Sequence, residues 1–242
     1  MTLANSLKAW YGHMFFMIHF WHNNSTEAVL ERLSKELTIP RSARVLNIAC
    51  EENLIPEFLR GRIDPAQVFG VELDDKVIDG KRIKRCDVDH EPLPFEDKSI
   101  DLVVSVWGLE HFKTDNIFKE IRRVLTPGGQ FIFVTPNRNH PIFMIKQLLG
   151  SRFAGWYFHR ILRTDYEPHK TFYHLNSYKN VRNAAAAAGL TFKQFVFLGP
   201  ANLKYYFNYS RLLQKALSAA EHLITNRVLG HFKPYIVGVL SS

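Results

Sequence analysis

Two hydrophobic patterns alternate along the chain, short apolar runs typical of buried strands and apolar positions at helical spacing. Buried strands are predicted at 45–48, 67–73, 100–106, 129–136, 190–198 and 234–240. Helices are predicted before Pro40, at 117–125 and at 176–188, the last one stopped by Gly189. Strands that alternate with helices in this way indicate an α/β fold with a mostly parallel sheet.

The first strand leads into a short polar turn that ends at Asn53, and Ile55, Phe58 and Leu59 then predict a helix. The free N–H groups of a helix N-terminus after such a turn favour an anionic or adenosine-bearing ligand. Glu72 ends the next strand about twenty residues on, where similar folds place a carboxylate for ribose hydroxyls. The pattern therefore predicts a nucleotide-type site.

The connection from Glu72 to Arg85 is too short for a full crossover helix, so an irregular segment is predicted there. Asp87 follows the apparent third strand. It is therefore expected at the same edge of the sheet as Glu72.

Composition narrows the function classes. The chain has 242 residues, 46% hydrophobic and 22% charged, as in an ordinary globular protein. The net charge of +8 suggests an anionic partner, but no nucleic-acid module is found, and no nucleic-acid partner is expected. Two cysteines without C-x-x-C spacing, Cys50 and Cys86, argue against disulfides and zinc and for a reduced, cytoplasmic compartment.

Three later segments make the interpretation specific. RCDVDHEPLPF, SIDLVVSVWGLEHF and EIRRVLTPGGQFIFVTPN follow one another between Arg85 and Asn137. In this order they resemble the class I S-adenosylmethionine (SAM)-dependent methyltransferases, most closely their type 11 group, over roughly Ala43 to Asn137. The resemblance implies a Rossmann-like fold with a seven-stranded, mostly parallel sheet, helices on both faces, and helical insertions before and after the sixth strand.

The resemblance also implies a cofactor, SAM, and a site. Glu72 would bind the ribose, Asp87 with Val88 the adenine, and the loop from Ala49 to Asn53 the methionine part. Cys50 would pack within this loop. The implied cofactor-binding residues are Asn47, Ala49, Cys50, Glu51, Asn53, Glu72, Leu73, Asp87, Val88 and Ser105.

The glycine motif of the family is altered. Ala49, Glu51 and Asn53 stand where the family has glycine, and Asn47 stands for its aspartate. The Glu51 carboxylate could attract the sulfonium and ammonium groups of SAM, or repel its carboxylate and fill the pocket. Two functions are therefore carried forward, a SAM-dependent methyltransferase and a non-catalytic relative that binds or regulates. A nicotinamide-dependent oxidoreductase does not explain the later segments.

Few residues need to act in methyl transfer, which mainly requires alignment and exclusion of water. His111 is the candidate general base, although the EH pair of the family often serves structure instead. Trp107 occupies the position where some related O-methyltransferases carry a metal-binding glutamate, so no metal is expected. The candidate substrate residues, each also explicable as a packed side chain, are His140, Tyr173 and His174.

The whole chain, 1–242, is interpreted as a single domain. Its parts are N-terminal cap helices at 1–40, a SAM-binding core at 43–137, and substrate-side insertions at 138–175 and 200–230. The aromatic segment 6–22 is predicted as a helix that either caps the cleft or touches lipid, and too short to span a membrane. The acceptor is expected to be a small or lipid-linked molecule. Peripheral membrane contact and the oligomeric state stay open.

Overall fold

One eight-stranded sheet organises the chain. The computed structural model describes residues 18–21, 26–37, 39–156, 160, 170–199, 210–212, 215–216, 219 and 230–242. The strands are β1 Ile18–Trp21, β2 Val45–Ile48, β3 Val68–Glu72, β4 Ile83–Arg85, β5 Ile100–Val106, β6 Leu125–Pro136, β7 Thr191–Leu198 and β8 Tyr235–Ser241. The helices are α1 Thr26–Glu36, α2 Asn116–Val124, α3 Pro141–Trp156 and α4 Tyr178–Ala188.

The strand order is β1-β7-β8-β6-β5-β2-β3-β4. Strand β8 runs antiparallel to β6 and β7, and all other pairs are parallel. The predicted Rossmann-like sheet is confirmed, with β1 added as an eighth strand at one edge. Because the sheet is mostly parallel, the carboxyl ends of β2, β3, β5 and β6 meet at one edge.

Both faces of the sheet are covered, as its continuous apolar strands predict. Leu102 and Val104 of β5 pack with α1 on one face. Val103 packs with α2 and α4 on the other. This alternation follows from the two-residue period of a strand.

The prediction of a helix after the β2 turn is wrong. A single 3₁₀ turn, Glu57–Leu59, takes its place. Pro56 disfavours the helical conformation at Ile55, and Gly61 leaves the helical region with φ +73°. No helix N-terminus therefore faces the loop that precedes this turn.

The helical interpretation of the N-terminal segment is wrong for Ile18–Trp21, which form strand β1. These four residues pair in parallel with 195–198 of β7, which would otherwise be a sheet edge with unpaired backbone groups. Residues 1–17 and 22–25 lie outside the described residues, as does most of the predicted 200–230 insertion. None of the helices within the ranges given above is long and apolar enough to cross a membrane.

The remaining predicted connections are confirmed. No helix lies between β3 and β4. Helix α4 begins after Ser177, whose side chain accepts a hydrogen bond from the N–H of Asn180, and it ends at Gly189 with φ +75°. Helix α3 occupies the predicted insertion before β7, interrupted at Gly150 by a non-helical backbone.

Candidate functional site

Two cavities open at the carboxyl edge of the sheet. The large cavity, about 650 Å³, lies among the end of β3 and the segments 86–89, 107–113 and 170–172. The small cavity, about 580 Å³, lies between α1 and the loop that follows β2. The residues that line both are Ala49, Glu51, Asn53 and Trp107. The loop after β2 therefore forms the boundary between two spaces of ligand size.

Glu72 lines the large cavity. Its Oε2 accepts a hydrogen bond from the N–H of Glu51 at 3.0 Å, and its Oε1 accepts one from the N–H of Leu73 at 2.7 Å. Each carboxylate oxygen has a second lone pair, so the fixed carboxylate can still accept from ligand hydroxyls. Leu73 lines the same cavity and is 50% exposed, an apolar surface next to the carboxylate.

Asp87 and Val88 line the large cavity one strand further along. Asp87 Oδ2 lies 2.9 Å from Nδ1 of His90, and Oδ1 accepts from the N–H of Asp89 at 3.2 Å. Burial acts in the opposite direction, but these hydrogen bonds hold the pKa of Asp87 below its ordinary value. An ionised acceptor thus stands beside the buried Val88. Its predicted role toward adenine stays a prediction.

The loop after β2 keeps a glycine-like backbone without glycine. Ala49 has φ +56° and Glu51 φ +45°, in the left-handed region that favours glycine. Two glycines outside this loop, Gly108 and Gly70, leave space for the side chains of Ala49 and Cys50. A Cβ on Gly108 would lie 2.9 Å from that of Ala49, and one on Gly70 would lie 2.7 Å from Cys50 Sγ.

Cys50 is a packing residue, as predicted. It is 4% exposed and lines the small cavity. Burial raises the pKa of its thiol to about 12, so the group stays neutral.

Asn47 stabilises the same loop through two hydrogen bonds. Its Nδ2 donates to the carbonyl oxygens of Asn53 at 3.1 Å and Leu54 at 3.2 Å. A helix N-terminus would present N–H groups here and suit an aspartate, whereas this loop presents carbonyls and needs a donor. Asn47 Oδ1 is buried without a hydrogen-bond partner among the described residues, and Asn47 lines the small cavity.

His111 lines the large cavity. Its Nδ1 lies 2.8 Å from the carbonyl oxygen of Lys170. Because a carbonyl only accepts, Nδ1 carries the proton, and Nε2 is the basic nitrogen of the neutral ring. The catalytic role of His111 stays a prediction.

Glu110, next to His111, lines neither cavity, but it is a buried carboxyl group beside the site that the sequence analysis did not single out. Its side chain is 6% exposed and accepts a hydrogen bond from Thr135 Oγ1 at 3.2 Å, and Asn176 donates to the same hydroxyl. Burial raises the pKa of Glu110 to about 7. Its carbonyl oxygen accepts from the N–H of Phe172 at 2.7 Å, which ties segment 170–173 to the cavity.

Phe172 brings two cations to the cavity rim. Lys113 Nζ lies 5.3 Å and Lys170 Nζ 5.1 Å from the centre of its ring. All three residues line the large cavity. The sequence analysis missed this group, because Lys113 and Phe172 are far apart in the chain and only the EH pair brings them together.

Four other predicted residues line neither cavity. His140 and Tyr173 are each 3% exposed, and burial lowers the pKa of His140 to about 4. Ser105 is fully buried, and His174 is exposed. None of the four is among the described residues that line the cavities, so their roles stay predictions. Within the described ranges, no group of three His, Cys, Asp or Glu side chains could hold a metal ion.

The chain matches the family described as "Methyltransferase domain" over residues 46–133. This range holds the β2 loop, Glu72, Asp87 and His111. The crystal structure of geranyl diphosphate C-methyltransferase from Streptomyces coelicolor A3(2) superimposes with a TM-score of 0.58 at 15% identity, covering 88% of this chain and 79% of that one. That likeness shows a shared fold.

Two curated relatives are similar over about half of this chain. One is "Probable phthiotriol/phenolphthiotriol dimycocerosates methyltransferase 2" of Mycobacterium ulcerans, 28% identical over 48% of this chain and 44% of the relative. The other is "Fatty-acid O-methyltransferase" of Mycolicibacterium smegmatis, 25% identical over 52% of this chain and 46% of the relative. The chain thus spans less than half the length of these relatives.

Proposed function

We propose that this chain, which belongs to the class I SAM-dependent methyltransferases, binds SAM in the large cavity and transfers its methyl group to a hydrophobic, small or lipid-linked acceptor. When bound, SAM supplies a methyl group on a positively charged sulfur. One observation carries the proposal. The Glu72 carboxylate, the apolar Leu73 and the ionised Asp87 converge in one cavity of about 650 Å³.

The residues present fit this cofactor. Glu72 can accept from two ribose hydroxyls, and Leu73 and Val88 offer apolar surface to adenine. Ala49 and Glu51 keep the positive φ that glycines of the family adopt at no cost. The Glu51 carboxylate, which lines this cavity, suits the sulfonium group of SAM.

His111 is proposed as the base when the acceptor is a hydroxyl. Its Nδ1 proton points at the Lys170 carbonyl, so Nε2 is the nitrogen that would take the proton of the acceptor hydroxyl. Lys113 and Lys170 at the rim, each with its ammonium group beside the Phe172 ring, support an acceptor that is apolar and anionic. The names of two relatives, which refer to a fatty acid and a dimycocerosate, agree with an apolar acceptor.

Calorimetric titration with SAM and with S-adenosylhomocysteine tests the cofactor. We expect the wild-type protein to bind both, and Glu72→Ala to weaken both by at least tenfold, since it removes the ribose acceptor and the anchor of the β2 loop. Glu96→Ala, an exposed carboxylate outside both cavities, is the matched control and should bind as the wild type does.

Failure to bind either ligand by a folded wild-type protein would overturn the proposal and leave the non-catalytic alternative. With binding established, transfer of radiolabelled methyl groups from SAM into the organic phase of a lipid extract tests the acceptor class. Label that enters only the aqueous phase would contradict a lipid-linked acceptor.

A further inference from the structure

Helix α3 buries the apolar Phe143, which is 3% exposed, but otherwise departs from the usual pattern of a helix on the surface of a globular protein. Such helices turn apolar residues inward and polar residues to solvent. Here the inward positions include Gln147, whose Nε2 donates to the carbonyls of Arg138 and Phe143 at 3.0 Å each. Lys146 is half-buried, with Nζ 5.7 Å from the centre of the Tyr173 ring.

Four large apolar side chains of α3 point outward. Met144 is 53%, Ile145 56%, Leu148 85% and Leu149 45% exposed. They follow the i, i+1, i+4, i+5 spacing, so they form one continuous strip, which we call the α3 apolar face. A contiguous apolar surface of this kind marks an interaction site, because exposed side chains add nothing to the stability of the core.

Charge is divided unevenly along the chain. Residues 43–137 contain 13 Lys and Arg against 17 Asp and Glu, whereas residues 138–242 contain 14 against 3. The positive net charge of the protein therefore comes from the part of the chain that contains α3. An apolar helix face within strongly basic sequence is complementary to an anionic lipid surface, which offers negative head groups above an apolar interior.

We propose that the α3 apolar face docks this protein onto anionic lipid bilayers. Helix α3 begins just beyond the carboxyl end of β6, the edge of the sheet at which both cavities open. Docking through α3 places that edge next to the bilayer, where a lipid-linked molecule can be reached without crossing water. The exposure of the α3 apolar face does not depend on the proposed methyl transfer.

Sedimentation with vesicles tests the docking. The full chain is mixed with vesicles of phosphatidylcholine alone or with about one third phosphatidylglycerol. We expect binding to the anionic vesicles and at least tenfold weaker binding to the neutral ones. The double variant Ile145→Asn/Leu148→Asn should lose at least tenfold in partition, since two apolar side chains no longer enter the bilayer. Leu212→Asn is the matched control, as Leu212 is 80% exposed outside α3, and it should bind within twofold of wild type.

A second measurement needs no change in the apolar face. Trp156 lies in the last turn of α3 and is 52% exposed. Brominated acyl chains should quench the tryptophan fluorescence of the protein, and Trp156→Phe should lose most of that quenching.

Three outcomes would overturn the proposal. The first is that the wild-type protein does not bind anionic vesicles, and the second is that the double variant binds them as tightly as the wild type does. The third is a wild-type dimer in solution that the double substitution converts to a monomer, because a second copy of the chain would then cover the α3 apolar face. Titration of the double variant with SAM separates these results from a failure of the proposed function. A variant that binds SAM as wild type does, yet not vesicles, supports docking.

Discussion

The two ends of the large cavity are built differently. At the end formed by β3 and β4, backbone N–H groups fix two carboxylates in position. The N–H groups of Glu51 and Leu73 donate to Glu72, and the N–H of Asp89 donates to Asp87. At the end formed by the β2 loop, Ala49 and Glu51 place side chains on a backbone suited to glycine. The first end, which we call the nucleoside end, presents fixed acceptors to the nucleoside of the proposed cofactor, whereas the second, the loop end, adds a negative charge of its own.

The largest expected effect concerns the support of the loop. Asn47→Asp places a buried carboxylate against the carbonyl oxygens of Asn53 and Leu54, to which Asn47 now donates. We expect a loss of about 3 kcal/mol in the free energy of unfolding, since a donor is lost and an unpaired charge is buried. Urea denaturation at pH 7 measures it.

Asn116→Asp is the matched control for this change. Asn116 is exposed at the first turn of α2, where a negative charge interacts favourably with the helix dipole. Its free energy of unfolding should stay equal or rise slightly. An Asn47→Asp protein as stable as this control would show that the two hydrogen bonds do not support the loop.

Leu73→Ala probes the nucleoside end. Leu73 adds apolar surface at the cavity wall, and its loss removes contact with adenosine, which SAM and S-adenosylhomocysteine share. We expect both ligands to bind about tenfold more weakly. Calorimetry with each ligand measures the two changes, and a loss confined to one ligand would contradict adenosine binding at this end.

The nucleoside end was predictable from sequence, and the loop end was not. The spacing of Glu72 and Asp87 after two short strands fixes both at one edge of a parallel sheet. The loop depends on Pro56, whose effect on Ile55 competes with the apolar periodicity that favours a helix. Without a helix, residue 47 faces carbonyl oxygens instead of N–H groups, so its side chain must donate hydrogen bonds. The local spacing of residues does not predict this change.

Two other differences depend on contacts distant in the chain. Strand β1 forms because Ile18–Trp21 meet the edge of β7, a pairing across more than 170 residues that helical periodicity cannot anticipate. The Lys113 and Phe172 contact likewise depends on the Glu110 carbonyl, which binds the N–H of Phe172.

Glu51→Gln probes the charge at the loop end. Glu51 lines both cavities and has no ion pair among the described residues, so its charge acts directly on a bound ligand. SAM carries a sulfonium that S-adenosylhomocysteine lacks. We expect SAM to bind about fivefold more weakly and S-adenosylhomocysteine within twofold of wild type.

Glu96→Gln is the matched control for that comparison. Glu96 is exposed and lines neither cavity, so both ligands should bind within twofold of wild type. Equal losses for the two ligands in Glu51→Gln would mean that Glu51 does not face the sulfonium.

The smallest effect expected is a gain in stability from Ala49→Gly. Ala49 has φ +56°, a conformation that costs a residue with Cβ about 1 kcal/mol or more and costs glycine nothing. Glycine gives back part of this gain through the larger entropy of the unfolded chain, so the net increase in the free energy of unfolding should be about 0.7 kcal/mol.

Ala186→Gly, at an exposed position inside α4, is the matched control and should lose about 1 kcal/mol. Urea denaturation of both variants checks the opposite signs. A loss of stability in Ala49→Gly as large as in the control would mean that the loop end carries no strain, and that its side chains replace glycine without cost.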